Sequence, residues 1–180
     1  MHEHRFHGGV ARLRSPERLA WLEVDRVVEL SLQSGNIRRV LDIGTGSGIF
    51  AEAFAKSGLE VEGLDANPEM LAAARDLVAD VHFQEGVAES LPYADGDFDL
   101  VFMGLLFHET DDRLKAMQEA ARVARQRVAI LEWPYQEQEI GPGLDERLTE
   151  HDIQKLAEQA GLMNLRVVPL QALVVYLLEK

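Results

Sequence analysis

Val40-Leu41-Asp42-Ile43-Gly44-Thr45-Gly46-Ser47-Gly48 is the stretch that decides the fold. A short apolar run ends in three glycines at alternate positions, and a helical pattern follows. Glycine lets the chain turn tightly after a strand and lets a ligand come close to the backbone. A helix beginning near Ser47 directs its free N–H groups at whatever occupies that turn. The result is a strand, a loop and a helix suited to a nucleotide-like ligand. The spacing departs from the dinucleotide-binding pattern G-x-G-x-x-G. The third glycine comes one residue early, and Ile49 stands where that pattern needs it.

Outward from this stretch, strand and helix patterns alternate. Ser15-Pro16-Glu17 reads as an N-cap with proline at the first helical position. Trp21, Val24, Val28 and Leu32 follow at helical spacing as far as Gly35. Strands are expected at 39–43, 60–64, 81–85, 98–103, 128–133, 165–168 and 173–178. The last two are close enough to pair as a hairpin. Helices are expected after Gly48, after the cap Asn67-Pro68, around Leu114 to Ala124, and after the Thr149-x-x-Asp152 capping box. This alternation predicts a doubly wound α/β fold whose mostly parallel sheet is covered on both faces. In such sheets a ligand lies beyond the carboxyl ends of the strands, where strand order reverses. Asp65 ends the second strand, 21 residues after Gly44. That interval suits a carboxylate that accepts hydrogen bonds from two ribose hydroxyls; a simple cap for the helix at Pro68 is the alternative.

Composition bounds the class. A chain of 180 residues makes one ordinary domain. It contains no cysteine, which excludes disulfides, a thiolate nucleophile and thiolate metal sites. No apolar run reaches transmembrane length and the start lacks a signal-peptide core, so a cytoplasmic protein is expected. The net charge of −13 argues against nucleic acid as a partner. His2, His4 and His7 make a histidine-rich start, but no cysteine or ordered carboxylate spacing supports a metal site. Residues 1–14 are expected to be a flexible segment or lid, with 15–180 as the single domain. The long stretch Pro134 to Leu148 is expected to close over the site, with Trp133 and Tyr135 as walls.

Val40 to Gly48, Leu64-Asp65-Ala66-Asn67, Gly86 to Pro92 and Asp97-Phe98-Asp99-Leu100-Val101 together resemble the ordered motifs of class I S-adenosylmethionine-dependent methyltransferases. The similarity is strongest to the small-molecule group that includes the ubiquinone and menaquinone C-methyltransferases, and it spans roughly residues 37–133. It implies a Rossmann-like, seven-stranded sheet with a C-terminal antiparallel strand pair and S-adenosylmethionine as cofactor. It implies a methyl transfer to a small-molecule acceptor, with no membrane insertion and with a homodimer allowed. Gly44, Thr45 and Gly46 would pass beneath the methionine part of the cofactor, with Asp42 near its amino group. Asp65 would hold the ribose, Ala66 and Met70 would pack on the adenine, and Ala88 and Glu89 would edge it. Met103, at the end of the fourth strand, joins this set. Val87 departs from the pattern, because the family often has an acidic residue there to take the adenine amino group.

Methyl transfer is an in-line displacement that alignment and water exclusion largely supply. A base is needed only if the acceptor must lose a proton. His108, within Phe107-His108-Glu109 past the fourth strand, is the candidate; packing at the start of the next helix is the other role open to it. Two rival classes remain: a non-catalytic S-adenosylmethionine-binding sensor or partner subunit, and, against the glycine spacing, a nicotinamide-dependent oxidoreductase.

Overall fold

The structure, a computed structural model, describes residues 13–180. Among them, β1 (Arg39–Ile43), β2 (Glu60–Asp65), β3 (His82–Glu85), β4 (Phe98–Gly104), β5 (Ala124–Glu132), β6 (Met163–Pro169) and β7 (Val174–Glu179) form one sheet. The strand order is β3-β2-β1-β4-β5-β7-β6. The first five strands are parallel, while β7 runs antiparallel to both β5 and β6. The expected doubly wound sheet with its closing antiparallel pair is therefore present. Strand order reverses between β1 and β4, which opens a crevice at their carboxyl ends.

Side-chain alternation sorts the core into two layers. Leu41, Ile43, Val101, Met103, Val128 and Ile130 face α5 (Arg113–Val123) and α6 (Glu150–Gln159). Val40, Leu100, Phe102, Ala129 and Leu131 face α1 (Pro16–Leu22), α2 (Val24–Leu32), α3 (Ile49–Lys56) and α4 (Pro68–Leu77). Because both faces are covered, β4 and the second half of β5, Val128–Leu131, are nearly continuous apolar runs. Phe102 meets Phe50 and Phe54 at ring separations of 4.7 and 5.4 Å, which binds α3 to the strand carrying the loop toward the site. Burying one such ring contributes roughly 2–3 kcal/mol. Ser15, Asn67 and Thr149 cap their helices as expected, and Thr149 and Asp152 complete a capping box.

Most strand ends shift by a residue or two from the sequence expectation, and two differences are larger. The single helix read from Pro16 to Gly35 is broken at Glu23, which is left-handed (φ 48°). Its carboxylate accepts the Gln171 N–H at 2.7 Å, a long-range contact with no local sequence signal. Strand β5 begins at Ala124, not Val128, so the polar run Arg125-Gln126-Arg127 is strand. There Arg125 pairs with Asp99, and the buried Arg127 donates to the carbonyls of Ser31 and Gln33 and to Glu179. Tertiary partners for these side chains override a polar local pattern.

Candidate functional site

The crevice between β1 and β4 opens into a cleft of about 1240 Å³. The glycine loop forms its floor. Gly44 is left-handed (φ 69°), and its N–H and that of Thr45 both donate to the Leu64 carbonyl, at 2.7 and 3.0 Å. A Cβ at Gly44 would lie 2.8 Å from the Leu106 side chain. Both the turn and the approach of the neighbouring loop therefore require glycine here.

Of the expected cofactor residues, Gly44, Gly46, Asp65, Ala66, Met70, Val87, Ala88 and Glu89 line the cleft. Asp65 accepts the Gly46 N–H on Oδ2 and the Asn67 N–H on Oδ1, each at 2.8 Å. The helix at Pro68 is capped by Asn67, not by Asp65. Val87 is exposed, and the Glu89 carboxylate accepts the Asp111 N–H at 3.1 Å across the cleft mouth. Asp42, Thr45 and Met103 lie beneath the wall. Met103 is fully buried among Leu41, Ile43 and Val101. Asp42 accepts the Thr45 hydroxyl at 2.7 Å and the Ala51 N–H at 3.1 Å. Burial pushes its carboxyl up to about 7, against those two hydrogen bonds and with help from nearby Asp65. The pair thus braces the loop from below.

His108 also lines the cleft, in a short 3-10 turn (Phe107–Glu109) after β4. Leu105 precedes it in the left-handed region (φ 54°), held by its N–H to the Leu131 carbonyl at 2.8 Å. That turn aims the next residues into the cleft at a local cost of about 1 kcal/mol or more. His108 Nδ1 sits 2.9 Å from both carboxylate oxygens of Glu132. The His108 and Trp133 backbone N–H groups donate to the same carboxylate, at 3.1 and 3.0 Å. Burial opposes the charged imidazole, but the Glu132 hydrogen bond, together with the charges of Glu132, Glu109 and Glu146, raises its pKa above the ordinary value.

Sequence reasoning passed over Glu132. Its signal was a lone carboxylate closing an otherwise apolar strand, and it is 3% exposed. Arg14 was also missed: it grips the Ser47 carbonyl at 2.8 Å and Glu52 at 2.8 Å, tying the segment before α1 to the start of α3. On the remaining side Trp21 and Trp133 meet at 5.4 Å, and Ile140, Gly141 and Pro142 complete the wall. The expected lid at residues 1–14 and the histidines His2, His4 and His7 fall almost wholly outside the described residues. Among the described residues no group of histidines and carboxylates is arranged to hold a metal ion.

A glycine loop at the switch point, a carboxylate closing β2 and a long cleft over both stand on a Rossmann-like sheet, the place where such sheets bind nucleotide-like ligands. Comparison with known proteins gives that site its family. Residues 41–131 match the model of the methyltransferase domain. A demethylmenaquinone methyltransferase from Thermotoga maritima is 37% identical over 111 residues, covering 59% of this chain and 48% of that protein. An uncharacterized methyltransferase, YcgJ, from Bacillus subtilis is 43% identical over 93 residues, 49% of this chain and 37% of that one. The crystal structure of a SAM dependent methyltransferase from Aquifex aeolicus superposes with a TM-score of 0.82 at 26% identity, covering 93% of this chain and 95% of its own. The chain belongs to the methyltransferase domain family, of the class I S-adenosylmethionine-dependent kind. The matched segments span less than half the length of these two curated relatives.

Proposed function

We propose that this chain binds S-adenosylmethionine in the cleft and transfers its methyl group to a small-molecule acceptor. The observation that carries this reading is the joint placement of the glycine loop, Asp65 and His108 around a single cleft. The cofactor, when bound, supplies an activated methyl group on a positively charged sulfur. Asp65 takes the ribose hydroxyls. Ala66, Met70, Val87 and Ala88 make the adenine wall, where Val87 offers backbone and apolar contact in place of a carboxylate. Gly44 to Gly46 face the methionine portion, and Asp42 and Thr45 hold that loop from below.

Trp21, Trp133, Leu106 and Ile140 then enclose the acceptor side. The loop of residues 134–148 acts as its cover, which excludes water from the transfer. A walled cleft of this size suits a small molecule, as the name of the Thermotoga maritima relative indicates for that protein. The net charge of −13 weighs against a nucleic acid. Among the described residues no helix is long and apolar enough to cross a membrane, and a cytoplasmic setting is part of this reading. So is a homodimer, which sedimentation checks.

Calorimetry tests the proposal. S-adenosylmethionine and its demethylated product should each bind, while NAD should not. Absence of heat and of a thermal shift at saturating S-adenosylmethionine overturns it.

A further inference from the structure

Methyl transfer as such asks for no base, yet the cleft lining holds one already oriented. Glu132 closes β5 with a side chain 4% exposed, and both its oxygens stand 2.9 Å from His108 Nδ1. Two backbone N–H groups, of His108 and Trp133, fix the carboxylate on either side. Both oxygens are acceptors, so Nδ1 carries the hydrogen and Nε2 is the basic nitrogen of the neutral ring. Nε2 lies on the far edge of the ring from Glu132, beside Glu109, which also lines the cleft.

The other charged groups around the ring agree with this role. Glu109 on the same turn and Glu146 from the covering loop add negative charge, and both favour an incoming proton. Arg113 of α5 turns its guanidinium to the His108 carbonyl at 3.1 Å, and to that of Glu146 at 3.3 Å, so it fixes the main chain there. A carboxylate held against one nitrogen of an imidazole that lines the cleft supplies the orienter and the base of general base catalysis.

Resting on the methyl-transfer reading above, we infer that His108 Nε2 removes a proton from the acceptor, with Glu132 as the positioning residue. The acceptor's nucleophilic atom then bears a proton of pKa near 10, as in a phenolic hydroxyl or an alkylammonium group. For a hydroxyl the step balances as follows. The O–H bond breaks and its proton passes to Nε2. The oxygen lone pair forms the new bond to the methyl carbon, and the carbon–sulfur bond breaks with its electron pair going to sulfur. The positive charge that leaves the sulfur appears on the imidazolium, which returns its proton to water. An ammonium acceptor loses its proton to the same nitrogen before its lone pair attacks. A thioether has nothing for His108 to take.

The test has a binding, a spectroscopic and a turnover arm. Calorimetry with S-adenosylmethionine on wild type, His108→Gln and Glu132→Gln reports the cofactor reading; similar affinity in all three is expected. Imidazole NMR, with the His108 signal assigned by its loss in His108→Gln, should show a pKa above 6.5 that falls in Glu132→Gln. An unchanged His108 pKa in a folded Glu132→Gln protein overturns the pairing, whether or not any acceptor is found. Turnover is read as release of the demethylated cofactor with catechol, phenethylamine and thioanisole. Catechol or phenethylamine should be methylated, and thioanisole should not.

With the better acceptor, His108→Gln should lower kcat about 10²–10⁴-fold. Wild-type activity should rise with pH through the His108 pKa, and Glu132→Gln should move that limb to lower pH while lowering the plateau. Methylation of thioanisole at a comparable rate, or a His108→Gln enzyme with unchanged kcat and pH profile, overturns the inference while leaving cofactor binding intact.

Discussion

The Asp65 carboxylate and the Gly46 N–H are joined at 2.8 Å, so the residue expected to hold the ribose also holds the loop expected to cradle the methionine portion. The other carboxylate oxygen takes the Asn67 N–H at 2.8 Å, which fixes the start of α4. One side chain therefore locks the turns after β1 and β2 into a single wall. A ligand then meets a preformed site and pays less for ordering it.

Asp65→Ala should in consequence do two things. Charge-assisted hydrogen bonds are worth about 1.5–3 kcal/mol each, so affinity for S-adenosylmethionine should fall by roughly one to two powers of ten. Stability should also fall, by about 1 kcal/mol, because two backbone N–H groups lose their acceptor. Calorimetry and thermal denaturation read the two effects separately. Unchanged affinity would reduce Asp65 to a structural brace.

Asp42 makes a prediction about pH. Its folded pKa of about 7 lies above the ordinary 3.8, because burial outweighs the Thr45 and Ala51 hydrogen bonds. A carboxyl whose pKa is raised by folding stabilises the fold below its unfolded pKa. That contribution is lost as pH rises through the folded value. Each pKa unit is worth about 1.4 kcal/mol, so ionising Asp42 costs the fold up to roughly 4 kcal/mol between pH 4 and 8. Asp42→Asn, which keeps an acceptor for the Thr45 hydroxyl, should flatten this dependence. Urea denaturation of both proteins at pH 5 and pH 8 checks it; a pH slope identical in the two would assign the slope to other groups.

What the sequence made legible, and what it hid, divides along local and non-local physics. The glycine loop, the caps at Ser15, Asn67 and Thr149 and the apolar runs of β4 and β5 are local signals, and the structure carries them all. The parallel sheet followed because strands alternating with helices admit few other arrangements. The break at Glu23 and the strand start at Ala124 were hidden, since their partners Gln171, Asp99, Ser31 and Glu179 are distant in sequence. The same limit applied to the site. His108 stood out as an ionisable residue past a strand end, but its partner Glu132 is 24 positions away and reads as the end of a core strand. Thr45, expected on the ligand wall, turns its hydroxyl down to Asp42, a choice that only the packed loop determines.

Gly44→Ala tests the floor of the cleft. The position has φ 69°, and an added Cβ would meet three Leu106 side-chain atoms at 2.8, 2.8 and 3.0 Å. Backbone strain alone costs roughly 1–2 kcal/mol. Leu106 must also shift, and it stands in the same wall as His108. Melting should drop by several degrees and cofactor binding should weaken at least tenfold. A variant with wild-type affinity would show that the loop can flatten without loss of the site.

Arg147 tests the proposed cover over the acceptor side. Its guanidinium, 6% exposed as a residue, gathers the loop that follows β5. It donates to the carbonyls of Pro134, Gln136, Ile140 and Pro142 at 2.6–3.1 Å and to the Gln138 side chain at 2.7 Å. It also lies over the Trp133 ring at 5.4 Å. Gly141 closes the stack from the cleft side, where a Cβ would come within 2.8 Å of the same ring (φ 95°). The loop is thus folded around one cation, and five donors in a planar fork are a shape that lysine does not reproduce. Arg147→Met should leave those carbonyls without their donor and loosen residues 134–142. Hydrogen exchange there should speed up, and Trp133 emission should shift to the red. The proposed adenine wall and the glycine loop are elsewhere, so cofactor affinity should change less than threefold while the acceptor KM rises tenfold or more. Arg147→Lys should fall between the two. If exchange in residues 134–142 is unchanged in Arg147→Met, the loop takes its order from the packing of Gly141 on Trp133, and the cation is dispensable to the cover.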